Sequence, residues 1–225
     1  MESVLNRCCT IESMPLCEMG LVNSGLVFKL IFISMGYEMA ATYSTMMPLG
    51  TQAPDFNLFD SVTGLQLSLQ TLRGNKATLI IFICNHCPYV LHVKEQLIAI
   101  AEQYLPKGVS TIAISSNDIV AYPQDAPDKM RALSAAWGNP FQAYLFDQTQ
   151  AVAKAYQAAC TPDFFLFDSE LKCVYRGRLD ASTPKNNLPV TGNELRNALD
   201  ALLGGTQVNP EQIPSIGCNI KWQSL

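Results

Sequence analysis

From Leu49 onward the chain alternates short apolar runs with segments of helical period; before that point it does neither. "APDFNLFD" and "GLQLSLQTL" read as two short strands around a turn at Gly64. "ATLIIFI" (77–83) is an unbroken apolar run, as a central strand buried on both faces requires. After Pro88, the positions Val90, Val93, Leu97, Ala101 and Tyr104 recur at helical spacing, and "LPKG" closes that helix. "VSTIAIS" predicts a second buried strand. "APDKMRALSAAW" predicts a helix with Pro127 and Asp128 in its first turn. "FQAYLFD" follows as a strand, then "TQAVAKAYQA" as a short helix with Thr149 as its cap.

The rhythm then changes. "DFFLFD" and "CVYRGRL" flank a polar turn and predict an antiparallel hairpin. "TGNELRNALDALLGG" is an amphipathic helix with Gly204 suited to its end. Parallel βαβ units that give way to a hairpin and a last helix predict an α/β fold: a mixed central sheet flanked by helices on both faces.

Residues 1–45 fit none of this and are set apart as an extension, leaving a domain over 46–205 and a tail over 206–225 that packs on it. Within the tail, "IGCNIKW" offers one more short strand. "LVFKLIFI" (26–33) is too short for a membrane span of about twenty residues and is interrupted by Lys29, so no stable span is expected. A secretory signal wants a basic start, yet Arg7 is outnumbered by Glu2, Glu12 and Glu18, and "MAA" is a poor cleavage site. The extension reads as a weak export signal, as a segment foreign to the domain, or as translation upstream of a natural start at Met39. The expected location is cytoplasmic, or exported if residues 1–41 act as a signal.

A net charge of −4 and no basic cluster exclude nucleic acid as a partner, since phosphate binding depends on grouped Lys and Arg. Eight cysteines in a long, strongly patterned chain do not call for a disulfide framework. They are expected to be reduced, small hydrophobic residues, with one exception.

The exception is "FICNHCPYV", where Cys84 and Cys87 follow a buried strand and open a helix. Open α/β sheets carry functional groups at that end of their strands. A helix start favours an anion, and a Cys-x-x-Cys thiol there can fall from about 8.5 to about 3.5–7.5. Two intervening residues let the second sulfur resolve a mixed disulfide formed by the first. The reading is Cys84 as nucleophile and Cys87 as resolving thiol, with no cofactor, because cysteine alone carries the electrons. Pro88 confines the regular helix to begin near Cys87, so Cys84 sits in the turn ahead of it. His86 is either an aid to the thiolate or a solvent-facing turn residue. Cys173 reads as core, Arg176 and Arg178 as a solvated strand face, and His92 as surface.

"APDFNL", "FICNHCPYV", "SSND", "CTPDFFLFD", "YRGRLD" and "GCNIKW", in that order over residues 49–222, resemble the thioredoxin superfamily, specifically its peroxiredoxin-like redoxin branch. The resemblance implies a thioredoxin-like fold with added N-terminal strands. It also implies a cis Pro162 beside the site, with Thr161 presenting backbone to a bound peptide. In that fold the loop bearing Cys160 faces the pair, so Cys160 is a third redox thiol or a core residue. Cys218 is a tail thiol that reaches the site or packs beside Trp222. The chain departs from thioredoxins in its Asn85-His86 pair, and the peroxiredoxin pattern Pro-x-x-x-Thr-x-x-Cys matches neither Cys84 nor Cys87. The expected activity is thiol–disulfide exchange with a protein or small-molecule disulfide as substrate and a reducing thiol as partner. The alternatives are a thiol peroxidase and a copper module using both thiolates and His86.

Overall fold

The computed structural model describes residues 41–224. Its centre is β4 (Ala77–Phe82), fully buried along its length and followed by α2 (Pro88–Tyr104). β4 pairs in parallel with β5 (Val109–Ser115), which pairs in parallel with β6 (Ala143–Phe146). On its other side β4 meets β8 (Asp163–Asp168) antiparallel, and β8 turns into β9 (Cys173–Tyr175). β2 (Asn57–Asp60) and β3 (Gln66–Ser68) add an antiparallel pair at the β6 edge. The sheet is therefore mixed and seven-stranded, in the order β3-β2-β6-β5-β4-β8-β9.

Strand alternation divides the core in two. Leu79, Ile81 and Ile83 face α2 and α5 (Asn193–Leu203), packing on Val90, Val93, Leu97, Leu195 and Leu199. Ile80 and Phe82 face the opposite side, with Ile112, Phe165, Phe167 and Tyr156 of α4 (Ala151–Tyr156). Tyr156 meets Phe165 and Phe167 edge-on with both interplanar angles at 90°. α3 (Pro127–Ala136) contributes Met130 to the first side.

Local chemistry shifts several predicted boundaries. The second apolar run divides at Ser68, which caps α1 (Leu69–Leu72) through a reciprocal Ser68–Thr71 capping box. Gln150 rather than Thr149 sits at the cap of α4, with φ 61°, and its side-chain amide is spent on the Ser116 and Lys221 carbonyls. α5 reaches Gly204 in a right-handed conformation, and Gly205, with φ 69°, makes the reversal. Arg176 departs most from its predicted solvated strand face. It is 0% exposed, lies over the Phe165 ring and forks onto both Asp163 carboxylate oxygens.

The tail is ordered. β10 (Ile216–Asn219) pairs with β7 (Cys160–Thr161) on one side and with β1 (Ala41–Tyr43) on the other, forming a separate three-stranded sheet. β1 falls inside the segment set apart as an extension, so the folded part includes residues from Ala41 onward. The apolar run at 26–33 and the candidate start at Met39 lie outside the described residues. Among the described residues, no helix is long and apolar enough to cross a membrane.

Candidate active site

β4 delivers Cys84 to the turn beyond its C-terminal end, and Cys87 occupies the N-cap of α2 with Pro88 as the first helical residue. This is the local geometry predicted from the strand, the Cys-x-x-Cys and the proline. Both sulfurs lie beneath the surface: Cys84 is 1% exposed and Cys87 0%.

Three further elements converge on them. The loop after β5 supplies Asp125, fully buried, whose Oδ1 accepts the Asn85 N–H at 2.8 Å. Asp125 Oδ2 accepts from Asn117 Nδ2 at 2.8 Å and lies 2.9 Å from His86 Nδ1. That last pair is close but poorly aligned, and neither ring nitrogen of His86 makes a well-directed hydrogen bond. Tyr122 stacks on His86 with centroids 5.6 Å apart, and the Tyr144 hydroxyl donates to Asn85 Oδ1 at 2.9 Å. His86 is thus a partly buried member of a side-chain network.

The second element is β7 with the cis Thr161–Pro162 bond that the resemblance implies. Thr161 Oγ1 lies 3.6 Å from Cys84 Sγ, and Cys87 Sγ donates to the Thr161 carbonyl at 3.0 Å. Thr161 therefore engages the sulfurs with its hydroxyl as well as its backbone. Pro162 instead borders a recess shared with Tyr89, His92, Arg178 and Ser182. The third element is β10, whose Cys218 Sγ stands 2.8 Å from Cys87 Sγ.

Of the two accessory thiols, only Cys218 is brought to the pair. Cys160 shares β7 with Thr161 but faces the other way, toward Ser44 Oγ at 3.9 Å and the Pro162 carbonyl at 3.6 Å. Burial and the adjacent Asp163 push the Cys160 thiol up, as befits a core residue. Cys173 is buried too, and His92 Nε2 pairs with Ser182 Oγ at 2.7 Å beside the recess.

The charge distribution corrects one expectation. Helix-start stabilisation was predicted for Cys84, but the hydrogen bond with Cys87, then burial, then the Asp125 carboxylate hold the Cys84 thiol well above its ordinary value. Cys87 moves the opposite way: burial opposes its ionisation, but hydrogen bonding with Cys218 and with Cys84 outweighs that and lowers it. The pair is therefore asymmetric, with ionisation disfavoured at Cys84 and favoured at Cys87. The physical reason is position, because Cys87 occupies the N-cap with Cys218 Sγ 2.8 Å away, while Cys84 looks at a carboxylate.

A metal could draw on Cys84, His86 and Asp125, whose donor atoms lie within 4.8 Å of one another. This is not the expected two-thiolate set. It mixes a soft sulfur with a hard carboxylate, and both Asp125 oxygens already accept from Asn85 and Asn117. The donors fit a hydrogen-bonded network better than a copper centre.

Asp125 and the Thr161 hydroxyl were not predicted as site groups. Asp125 had one available signal: loops after neighbouring parallel strands open on the same sheet edge, so the segment after "VSTIAIS" faces the Cys turn.

The redoxin family model matches residues 48–195. No protein of curated function matches the chain. An uncharacterized conserved protein from Geobacillus kaustophilus is 54% identical, with 83% of this chain and 98% of that one covered and a TM-score of 0.81. A hypothetical protein from Sinorhizobium meliloti 1021 is 45% identical over 82% and 100% of the two chains, with a TM-score of 0.79. A putative thioredoxin from Neisseria meningitidis, 22% identical over 70% and 93% of the chains, shares the fold at a TM-score of 0.53. With the sulfur pair at the end of β4 and the family match spanning most of the domain, the chain belongs to the redoxin family and has a thioredoxin-like fold.

Proposed function

We propose that this protein is a thiol–disulfide oxidoreductase whose redox pair is Cys84 and Cys87. The observation that carries the reading is the buried sulfur pair where β4 ends and α2 begins, with the Thr161 hydroxyl 3.6 Å from Cys84 Sγ and the Thr161 carbonyl accepting from Cys87 Sγ. Cys84 is the attacking sulfur, because its side of the site is bounded by the partly exposed Asn85 and His86, whereas Cys87 is closed in by Cys218 and the Thr161 carbonyl.

As Cys84 attacks a substrate disulfide, the Cys84–substrate bond forms, the substrate S–S bond breaks, and the first substrate thiolate leaves with the proton that Cys84 loses. Cys87 then attacks Cys84, gives its proton to the second departing substrate thiolate and leaves a Cys84–Cys87 disulfide. Two electrons have moved from the protein to the substrate, and a reducing thiol partner restores the pair.

The test is reduction of a small aromatic disulfide with dithiothreitol as regenerant. Cys84→Ser abolishes turnover, and Cys87→Ser accumulates a mixed disulfide visible by mass spectrometry. Full activity in Cys84→Ser sinks the reading.

The enclosure of Cys84 favours a second reading, in which the oxidant is a hydroperoxide small enough to enter a closed site. The Thr161 hydroxyl, 3.6 Å from Cys84 Sγ, is then the available donor to the peroxide. Single-turnover peroxide consumption faster than disulfide reduction selects this reading; slower consumption rejects it.

A further inference from the structure

Cys218 has no role in the two-sulfur mechanism, yet it is placed as carefully as the pair itself. It lies 131 residues from Cys87 in sequence and stands 2.8 Å from it, about 0.8 Å beyond a disulfide bond length. Its position follows from register. Cys218 lies directly across from Thr161 in the antiparallel β10–β7 pair. Residues opposite one another on paired strands send their side chains to the same face. Here Thr161 meets Cys84, and Cys218 meets Cys87.

The preceding residue makes the approach possible. A Cβ on Gly217 would fall 2.0 Å from the Thr161 carbonyl oxygen, so only glycine lets β10 come this close. Cys218 is itself 1% exposed, which leaves Cys87 as its neighbour and shields it from bulky thiol reagents.

We propose that Cys218 is a third redox thiol that takes Cys87 from the Cys84–Cys87 disulfide and frees Cys84. The inference rests on the reading of Cys84 and Cys87 as the redox pair. In the exchange, Cys218 Sγ attacks Cys87 Sγ. The Cys218–Cys87 bond forms, the Cys87–Cys84 bond breaks, and its electron pair leaves on Cys84, which takes up the proton lost by Cys218. The protein is oxidised by two electrons before the step and after it, so no further oxidant or reductant enters. The result is a disulfide stored between two buried sulfurs, with the substrate-facing sulfur restored as a thiol. Return attack by Cys84 on Cys87 reverses the exchange and hands the disulfide back to an incoming reductant.

The experiment oxidises the full chain with one equivalent of 4,4′-dithiodipyridine, quenches it in acid, alkylates the free thiols and maps disulfides by peptide mass spectrometry. Wild type gives both 84–87 and 87–218 linked peptides, the latter with Cys84 alkylated. Cys218→Ala loses the 87–218 peptide completely and keeps 84–87, with near-ultraviolet circular dichroism confirming the fold; Cys218→Ser serves if the alanine variant does not fold. Cys84→Ser gives neither linked peptide, because the exchange starts from the 84–87 disulfide. Finding 84–87 in wild type with Cys218 fully alkylated overturns the relay and leaves the pair intact, and an 87–218 peptide in Cys84→Ser overturns it too, because that bond then forms without Cys84. Failure of a folded Cys218→Ala to form 84–87 overturns the pair, and the relay with it.

Discussion

Replacing Asp125 with Asn removes one buried negative charge while keeping nearly the same shape. The Asn oxygen still accepts the Asn85 N–H that Asp125 Oδ1 accepts at 2.8 Å, so the Cys turn keeps its anchor. What changes is the field on Cys84, whose thiol is held up by hydrogen bonding with Cys87, by burial and by this carboxylate, together with the Asn117 Nδ2 bond that the new amide nitrogen cannot accept. Donor atoms of the two residues lie within 4.8 Å of each other. At an effective dielectric of 20, unit charges at that separation repel by about 3.5 kcal/mol. Loss of the negative charge favours the thiolate, so the sign is downward. The assay is iodoacetamide alkylation of reduced protein across pH, with the rate at Cys84 read by peptide mass spectrometry. Both forms must open the same closed site before Cys84 reacts, so the pH midpoint isolates the charge. The expected midpoint for Asp125→Asn lies below that of wild type. A rate raised equally at all pH values with an unmoved midpoint, or a midpoint that rises, refutes the electrostatic argument.

Two other variants test the frame around the site. Arg176→Met strands the buried Asp163 carboxylate without its cation, which costs about 3–5 kcal/mol and lowers Tm by about 6–20 °C. Adding Asp163→Leu restores most of that loss in thermal unfolding, and a fall below about 2 °C in the single variant rejects the ion pair as a major support. Gly217→Ala drives β10 from the Thr161 carbonyl and costs about 1–3 kcal/mol in denaturant unfolding. It also removes the 87–218 crosslink and spares 84–87; an undiminished crosslink shows that the close approach is not needed.

The parts of the structure carried by local pattern were legible in the sequence. The apolar run at 77–83 and the helical spacing after Pro88 fixed the strand, the turn and the helix that present the two sulfurs. The pairing of "DFFLFD" with "CVY" followed from the polar turn between them. What escaped depends on contacts between distant segments. Arg176 alternates along its strand like a solvated residue, and only β8, folded back against β9, turns it onto Asp163. The thiolate was assigned to Cys84 because a helix start was taken as the dominant influence. Asp125 arrives from a different loop and Cys218 from the tail; the first disfavours the Cys84 thiolate and the second favours that of Cys87. β1 was invisible because three residues of ordinary β character mean little until β10 lies beside them.

That small outer sheet gives the two ends of the domain a common fate. β10 carries Cys218, and its free edge is covered by β1, whose Ala41 stands opposite Cys218 itself. Just beyond β1, Ser44 donates its N–H to the Ser215 carbonyl and its hydroxyl to Asp163, tying the same strand to the buried arginine pair. An affinity tag joined at residue 44, or a protease cut there, therefore acts on the sulfur cluster as directly as a change within it. A chain shortened past β1 loses the strand that pairs with β10 opposite Cys218, and its Cys218 is expected to alkylate faster than in a chain that keeps β1.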